Sequence, residues 1–159
     1  MDIFAHGLWS YQLVGRRSRI WPAVVSGVAP DLFAFAPYVA ERLVRGELAV
    51  GKPETVVIPT YVFRLYDISH SLLIAGFVFA LLYLILRRVP SFLLAWPLHI
   101  AMDIPTHSRL FFPTPFLWPL LDYRVDGIPW STPWFLLVNY AALVSLFAFH
   151  ASRKRKGRR

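Results

Sequence analysis

The chain has 159 residues, the length of one domain, and its composition is 57% hydrophobic and only 16% charged. This balance is unusual for a soluble protein, and the absence of cysteine excludes disulfides and thiolate metal ligands. The formal net charge is +8. Because the positive residues gather in short clusters beside apolar segments, they indicate a membrane topology rather than a nucleic-acid surface.

The first predicted element is a short helix over residues 2–14, which is too short to cross a bilayer. Asp2, His6 and Ser10 follow one another at intervals of four residues. A helix therefore places all three on one polar face, which we expect to turn towards the interior of a helix bundle.

Longer apolar segments are predicted to span the membrane, which makes the fold class an all-α polytopic helical bundle. There are four of them, over residues 20–40, 68–86, 89–104 and 130–149. Two connections, over residues 41–66 and 105–129, are predicted to be outer loops. The membrane-embedded domain then covers residues 1–150, and a basic cytoplasmic tail covers residues 151–159.

Clusters of basic residues decide the predicted orientation. They are Arg16, Arg17 and Arg19; Arg87 and Arg88; and six residues between 153 and 159. The positive-inside rule places all three clusters in the cytoplasm. The prediction is a multi-pass protein with a cytoplasmic C-terminus, with membrane lipid as its partner and with no nucleic-acid partner.

Ionisable side chains are costly inside a bilayer, so those within the predicted spans require a cause. Asp31 has no nearby lysine or arginine in the sequence, and it follows Pro30, which can bend a helix beside a cavity. His99 and Asp103 are four residues apart and share a helix face, and this pairing suits zinc, manganese or iron. His70, between two serines, is either part of a helix start capped by Ser69 or a metal ligand.

The depths of these residues favour one shared site. At about 1.5 Å per residue, Asp31 and His99 lie roughly 18 and 16 Å from the nearest basic cluster. Asp103 and His70 lie further out, so all four fall in the outer half of a core roughly 30 Å thick. The candidate metal ligands in an outward-opening pocket are therefore His6, Asp31, His70, His99 and Asp103. Hydrogen-bonded pairs that only hold helices together are the structural alternative.

An ordered set of motifs extends over about residues 1–125. They are His6, Ala29-Pro30-Asp31, Ser69-His70-Ser71-Leu72, His99 with Asp103, and Phe116-Leu117-Trp118-Pro119. This set resembles the membrane-bound, metal-dependent hydrolases of the bacterial inner membrane (the YdjM type). That family often has His-Arg before its Thr/Ser-His-Ser element. This chain has Tyr66-Asp67 there, so either one ligand is missing or Asp67 takes the place of the histidine.

Together, the resemblance and the embedded site imply a hydrolase of the bacterial inner membrane that acts on an amphiphile, such as a phosphate ester of a lipid. Zinc or manganese is the expected cofactor, and the candidate catalytic carboxylates are Asp31 and Asp67. Arg109 and Arg124 are candidate phosphate contacts. Two alternatives stay open: a cation or proton transport protein, which would need a homo-oligomer to form a path, and a non-catalytic membrane protein.

Overall fold

The computed structural model describes residues 1–48, 51 and 53–156, and within them the secondary structure is helical, without strands. The α-helices are α1 (Ile3–Leu13), α2 (Ile20–Val44), α3 (Thr60–Ser69), α4 (Leu72–Leu86), α5 (Ala95–Thr106) and α6 (Pro133–Lys156). The all-α class and the short N-terminal helix are therefore confirmed. The last three residues of the predicted basic tail, 157–159, lie outside the described residues.

Two of these helices are long and apolar enough to cross a membrane, namely α2 and the part of α6 from Pro133 to Arg153. The helices α3 and α4 pass the same test only as a pair, and they are bent by 55° at the break between them. The 12 residues of α5 rise about 18 Å, which is less than the thickness of the hydrocarbon core. In the described part of the chain, the predicted four spans thus correspond to two long helices, one bent pair and one short helix.

The outer loop predicted over residues 41–66 is wrong at both ends. Helix α2 continues to Val44, and α3 begins at Thr60. Helix α3 is amphipathic, with Val62, Tyr66 and Ser69 buried, so its apolar residues recur at helical spacing although the segment has no long apolar run. The mixed charge of this segment, together with its glycine and proline residues, favours a loop in the sequence alone.

Helix α1 packs closely against α2 at Gly27. A Cβ atom at this position would lie 1.9 Å from Ser10 Oγ and 2.6 Å from Ser10 Cβ, so the packing requires a residue without a side chain. The carbonyl oxygen of Gly27 also accepts a hydrogen bond of 2.7 Å from His99 Nδ1 of α5. The spacing of α1 and α2 is therefore coupled to the position of a histidine on a third helix.

Hydrogen bonds between side chains tie α6 to α1 along the length of α1. Their partners are Trp9 with Asn139 at 2.9 Å, Asp2 with Tyr140 at 2.8 Å, and Gln12 with His150 at 3.0 Å. His150 therefore has a structural partner in α1, outside the cluster of buried histidines. These bonds hold the N-terminal helix against the bundle although it is too short to span the membrane itself.

The segment after α5 folds back over the end of that helix. The backbone amide of Gly127 donates to the carbonyl of His107 at 2.8 Å, and the amide of Ile128 donates to the carbonyl of Pro105 at 2.9 Å. The last carbonyl groups of an α-helix have no hydrogen-bond partner within the helix, and these bonds satisfy two such groups at the end of α5. The predicted second outer loop thus closes one end of the bundle.

We expect Gly27→Ala to lower the midpoint of thermal unfolding in detergent. The added methyl group overlaps Ser10, and overpacking of this kind costs about 1–3 kcal/mol. Gly76→Ala in α4 is the matched control, because a Cβ there meets no atom within 4 Å. We expect the control to leave the midpoint unchanged or to raise it slightly. Equal midpoints for the two variants would contradict this helix packing, and Ser10→Gly should restore the Gly27→Ala variant.

Candidate metal centre

Four ionisable side chains from separate parts of the chain converge inside the bundle. Asp31 comes from α2, His70 from the break between α3 and α4, and His99 and Asp103 from α5. One possible ligand atom from each residue lies within 4.8 Å of the others. The side chains of the last three are fully buried, and Asp31 is 13% exposed. The structure therefore brings together four of the five metal ligands predicted from the sequence.

Local sequence features explain why these side chains can meet. His99 and Asp103 share one face of α5, as their spacing predicts. His70 follows the last residue of α3, and the hydroxyl of Ser71 then caps α4 by accepting a hydrogen bond of 3.2 Å from the amide of Ile74. The N-cap of this helix is thus Ser71, which corrects the expectation of Ser69. The break leaves His70 between two helix ends.

The distances among the four side chains suit ligands of a single ion. His70 Nε2 and His99 Nε2 are 3.0 Å apart, and Asp103 Oδ2 lies 3.2 Å from His99 Nε2 and 3.5 Å from His70 Nε2. Asp31 Oδ1 lies 3.5 Å from His70 Nε2 and 3.8 Å from His99 Nε2. Ligand bonds of about 2.0–2.2 Å at neighbouring positions place donor atoms roughly 3–3.5 Å apart.

A hydrogen bond to a backbone carbonyl leaves Nε2 of His99 as an acceptor. His99 Nδ1 donates to the carbonyl of Gly27 at 2.7 Å, and because a carbonyl oxygen can only accept, Nδ1 carries the proton of the neutral ring and Nε2 carries a lone pair. His70 Nδ1 lies 2.9 Å from the hydroxyl of Ser69 and 3.2 Å from the carbonyl of Tyr66. Asp103 Oδ2 is buried without a hydrogen-bond partner. These buried nitrogen and oxygen atoms have the chemistry of metal ligands, and the residues present fit a metal ion.

The other oxygen of Asp103 is held by a second group of side chains. His6 Nε2 lies 2.9 Å from Asp103 Oδ1, the Met1 amine contacts the same oxygen, and His107 Nε2 lies 3.5 Å from it. The ring of His6 also stacks on His99, with 3.6 Å between centroids. Burial lowers the pKa of His6 and of His107 to about 4. The structure places His6 behind Asp103, outside the set of four.

Two residues beside the cluster were missed in the sequence. Tyr66 stacks on His70 with 3.7 Å between ring centroids, and its hydroxyl donates to the carbonyl of Phe112 at 2.9 Å. His107, which the sequence had assigned to a loop, is buried, with Nδ1 2.7 Å from the same carbonyl. Spacing could have indicated both, because Tyr66 lies four residues before His70 and His107 lies four residues after Asp103.

Asp67 lies outside the set of four. Its carboxylate accepts a hydrogen bond of 3.1 Å from Arg124 Nη2, and Arg124 Nε donates to Asp122 at 2.7 Å. Arg109 donates from Nη2 to the carbonyl of Arg124 at 3.2 Å. Both arginines that the sequence offered as phosphate contacts are therefore engaged in the segment after α5, and the catalytic role of Asp67 stays a prediction.

An open, largely apolar cavity of about 640 Å³ borders the cluster. Asp31 is the member of the set of four that lines it, and His107 lies on the same wall. The other three members are fully buried, so the Asp31 side gives access to the candidate metal centre.

No protein-family model, curated protein or solved structure matches this chain. The resemblance to membrane-bound hydrolases therefore stays a prediction.

We expect the detergent-purified protein to retain a divalent metal ion and His99→Ala and Asp103→Ala to lose it, because each substitution removes a donor atom from a buried set of four. His150→Ala is the matched control, since this histidine contacts Gln12 instead. Elemental analysis gives the metal content. Adding the ion at about 100 times its dissociation constant should stabilise the unsubstituted protein by about 2.7 kcal/mol. Equal, negligible metal in all four proteins would contradict the site.

Proposed function

We propose that this protein is a membrane-bound, metal-dependent hydrolase that acts on an amphiphilic substrate. The observation that carries the proposal is a buried set of two imidazoles and two carboxylates that opens, at Asp31, onto an apolar cavity beside a helix able to span a membrane. Mixed nitrogen and oxygen ligands support zinc or manganese as the ion. When bound, such an ion polarises a scissile group and makes a water molecule more acidic.

The protein's own residues have distinct tasks in this proposal. His70, His99 and Asp103 bind the ion, and the Gly27 carbonyl fixes the ring of His99. Asp31 borders both the cluster and the cavity, so it either completes the ligand set or takes a proton from the attacking water. His6 positions Asp103 through the hydrogen bond between His6 Nε2 and Asp103 Oδ1.

The surroundings of the cavity support an amphiphile rather than a water-soluble substrate. The cavity is bounded by exposed apolar residues of α2, among them Leu32, Val39 and Leu43. In a bilayer, lipid chains would cover this face of the helix. A substrate already in the membrane would therefore reach Asp31 from the side, without passing through water.

We also propose the topology that the charge pattern favours. Helices α2 and α6 each cross the membrane once. Between them in the chain, the bent α3–α4 pair forms one crossing, and α5 together with the preceding 3₁₀ turn Ser91–Leu94 forms another. Four crossings return the C-terminus to the cytoplasm of a bacterium whose inner membrane holds the protein. The cluster then lies nearer to the outer face.

We expect hydrolysis to depend on the metal and on Asp31. The protein is reconstituted in lipid nanodiscs with zinc or manganese, and the products released from bilayer lipids are measured by mass spectrometry. Asp31→Asn should lower the rate by about 100-fold or more, because proton transfer by a placed carboxylate contributes about 10²–10⁴-fold. EDTA should abolish turnover, and His150→Ala should not change it. The metal content of Asp31→Asn then decides the role of Asp31. If Asp31 is the base, the variant keeps its ion, and if Asp31 is a ligand, the variant loses it.

If the metal-loaded, unsubstituted protein cleaves neither bilayer lipids nor added soluble amphiphiles, the proposed function is wrong. Ion flux in vesicles without hydrolysis would favour the transport alternative.

The topology predicts which introduced cysteines are accessible from outside. The chain has no cysteine of its own, so each single cysteine gives an unambiguous signal. Leu110, which is 87% exposed after α5, and Ser152, exposed near the end of α6, are suitable positions. In spheroplasts, a membrane-impermeant maleimide should label Leu110→Cys at once and Ser152→Cys only after lysis. Labelling of Ser152→Cys in intact spheroplasts would contradict a cytoplasmic C-terminus.

A further inference from the structure

We propose that the substrate is an uncharged carboxylic ester of a long-chain acid, whose acyl chain lies in the apolar cavity along α2. This inference rests on the proposed hydrolase function and names its substrate class. It commits to an acyl chain as the occupant of the cavity and to an ester carbonyl at the Asp31 end.

The first support is the shape of the cavity. Its α2 wall is a single helix face, with residues at spacings of three or four beginning at Asp31. The wall consists of Asp31, Leu32, Phe35, Ala36, Val39, Ala40 and Leu43. From Asp31 to Leu43 the helix rises about 18 Å, so the cavity is long as well as apolar. The facing wall comes from the start of α1 and from Phe111, Phe112 and Trp130.

The second support is continuity between this cavity and the reacting groups. Asp31 belongs to both, and Phe112, another residue of the cavity wall, contacts His107 Nδ1 through its carbonyl. A chain lying along α2 would therefore end beside the candidate metal centre.

The third support is the charge around the cavity. None of the described residues that line it is a lysine or an arginine, and its charged groups are Asp2, Asp31 and the Met1 amine. With Asp103 next to them, the site has three carboxylates, so a single divalent ion leaves no net positive charge there. A phosphate group would bring uncompensated negative charge into a buried site, and this is costly. An uncharged ester avoids that cost.

The reaction is hydrolysis of the ester. The oxygen of a water molecule attacks the acyl carbon, and Asp31 takes the proton that the water loses. The bond between the acyl carbon and the alkoxy oxygen then breaks, and the same proton passes to that oxygen. The products are a fatty acid and an alcohol, and no other reactant is needed.

Three probes separate the chemistry of the head group from the length of the chain. They are mono-octanoyl glycerol, mono-octyl phosphate and monobutyryl glycerol, given to the full-length, metal-loaded protein in detergent. We expect the octanoyl ester to be cleaved at least about tenfold faster than the octyl phosphate. The carboxylates already neutralise the divalent ion, so the site has no positive charge to balance the phosphate group. Asp31→Asn should remove this activity.

A substitution on the wall of the cavity tests where the chain lies. Ala36→Trp fills the cavity along α2, and we expect it to lower kcat/KM for the octanoyl ester by about tenfold or more, since each methylene excluded is worth up to about fourfold. The butyryl ester should be cleaved as before. Ala80→Trp, at an exposed position of α4, is the matched control and should change neither rate.

Ala40→Trp repeats the test one turn further from the cluster, and the midpoint of thermal unfolding shows that each variant is folded. Faster cleavage of octyl phosphate would overturn the ester assignment and leave the hydrolase proposal standing. Equal effects of Ala36→Trp on both esters, or no effect on either, would overturn the placement of the chain. If the metal-loaded protein cleaves none of the probes, and bilayer lipids also stay intact, both proposals fall.

Discussion

The structure is organised around a buried concentration of nitrogen and oxygen atoms that could hold a cation. The Nε2 atoms of His70 and His99 face each other at 3.0 Å, and His99 holds its Nδ1 proton on the carbonyl of Gly27. An oxygen of Asp103 without any hydrogen-bond partner lies beside them. A cation offsets the free energy that burying such a group costs. An ion held by this cluster would couple its binding to closure of the bundle, as metal sites do in general.

Backbone features rather than long side chains assemble this cluster. Gly27 lets α1 approach α2 and at the same time offers the carbonyl that orients His99. The break between α3 and α4 presents His70 from a helix end, where the side chain can reach the core without a whole helix having to move. The regular spacing on α5 supplies the other half of the site.

Helix α2 connects this chemistry to the membrane. It is one of the two helices long enough to span a bilayer, it carries Asp31 at the cluster, and its apolar face forms a wall of the cavity. One helix thus brings a carboxylate to the cluster and leaves an apolar surface next to it. That combination is what a hydrolase of membrane-embedded amphiphiles requires, and it is the physical basis of the proposed function.

The all-α class and the residues of the cluster could be predicted from the sequence because both depend on local rules. Apolar segments predict helices, an aspartate in such a segment demands a partner, and the spacing of His99 and Asp103 defines a helix face. Only the tertiary structure decided that His6 lies behind Asp103, that Tyr66 and His107 support the site, and that α5 is shorter than a span. These facts depend on the approach of segments far apart in the chain, such as α1 against α2 at Gly27, and no local pattern records that approach.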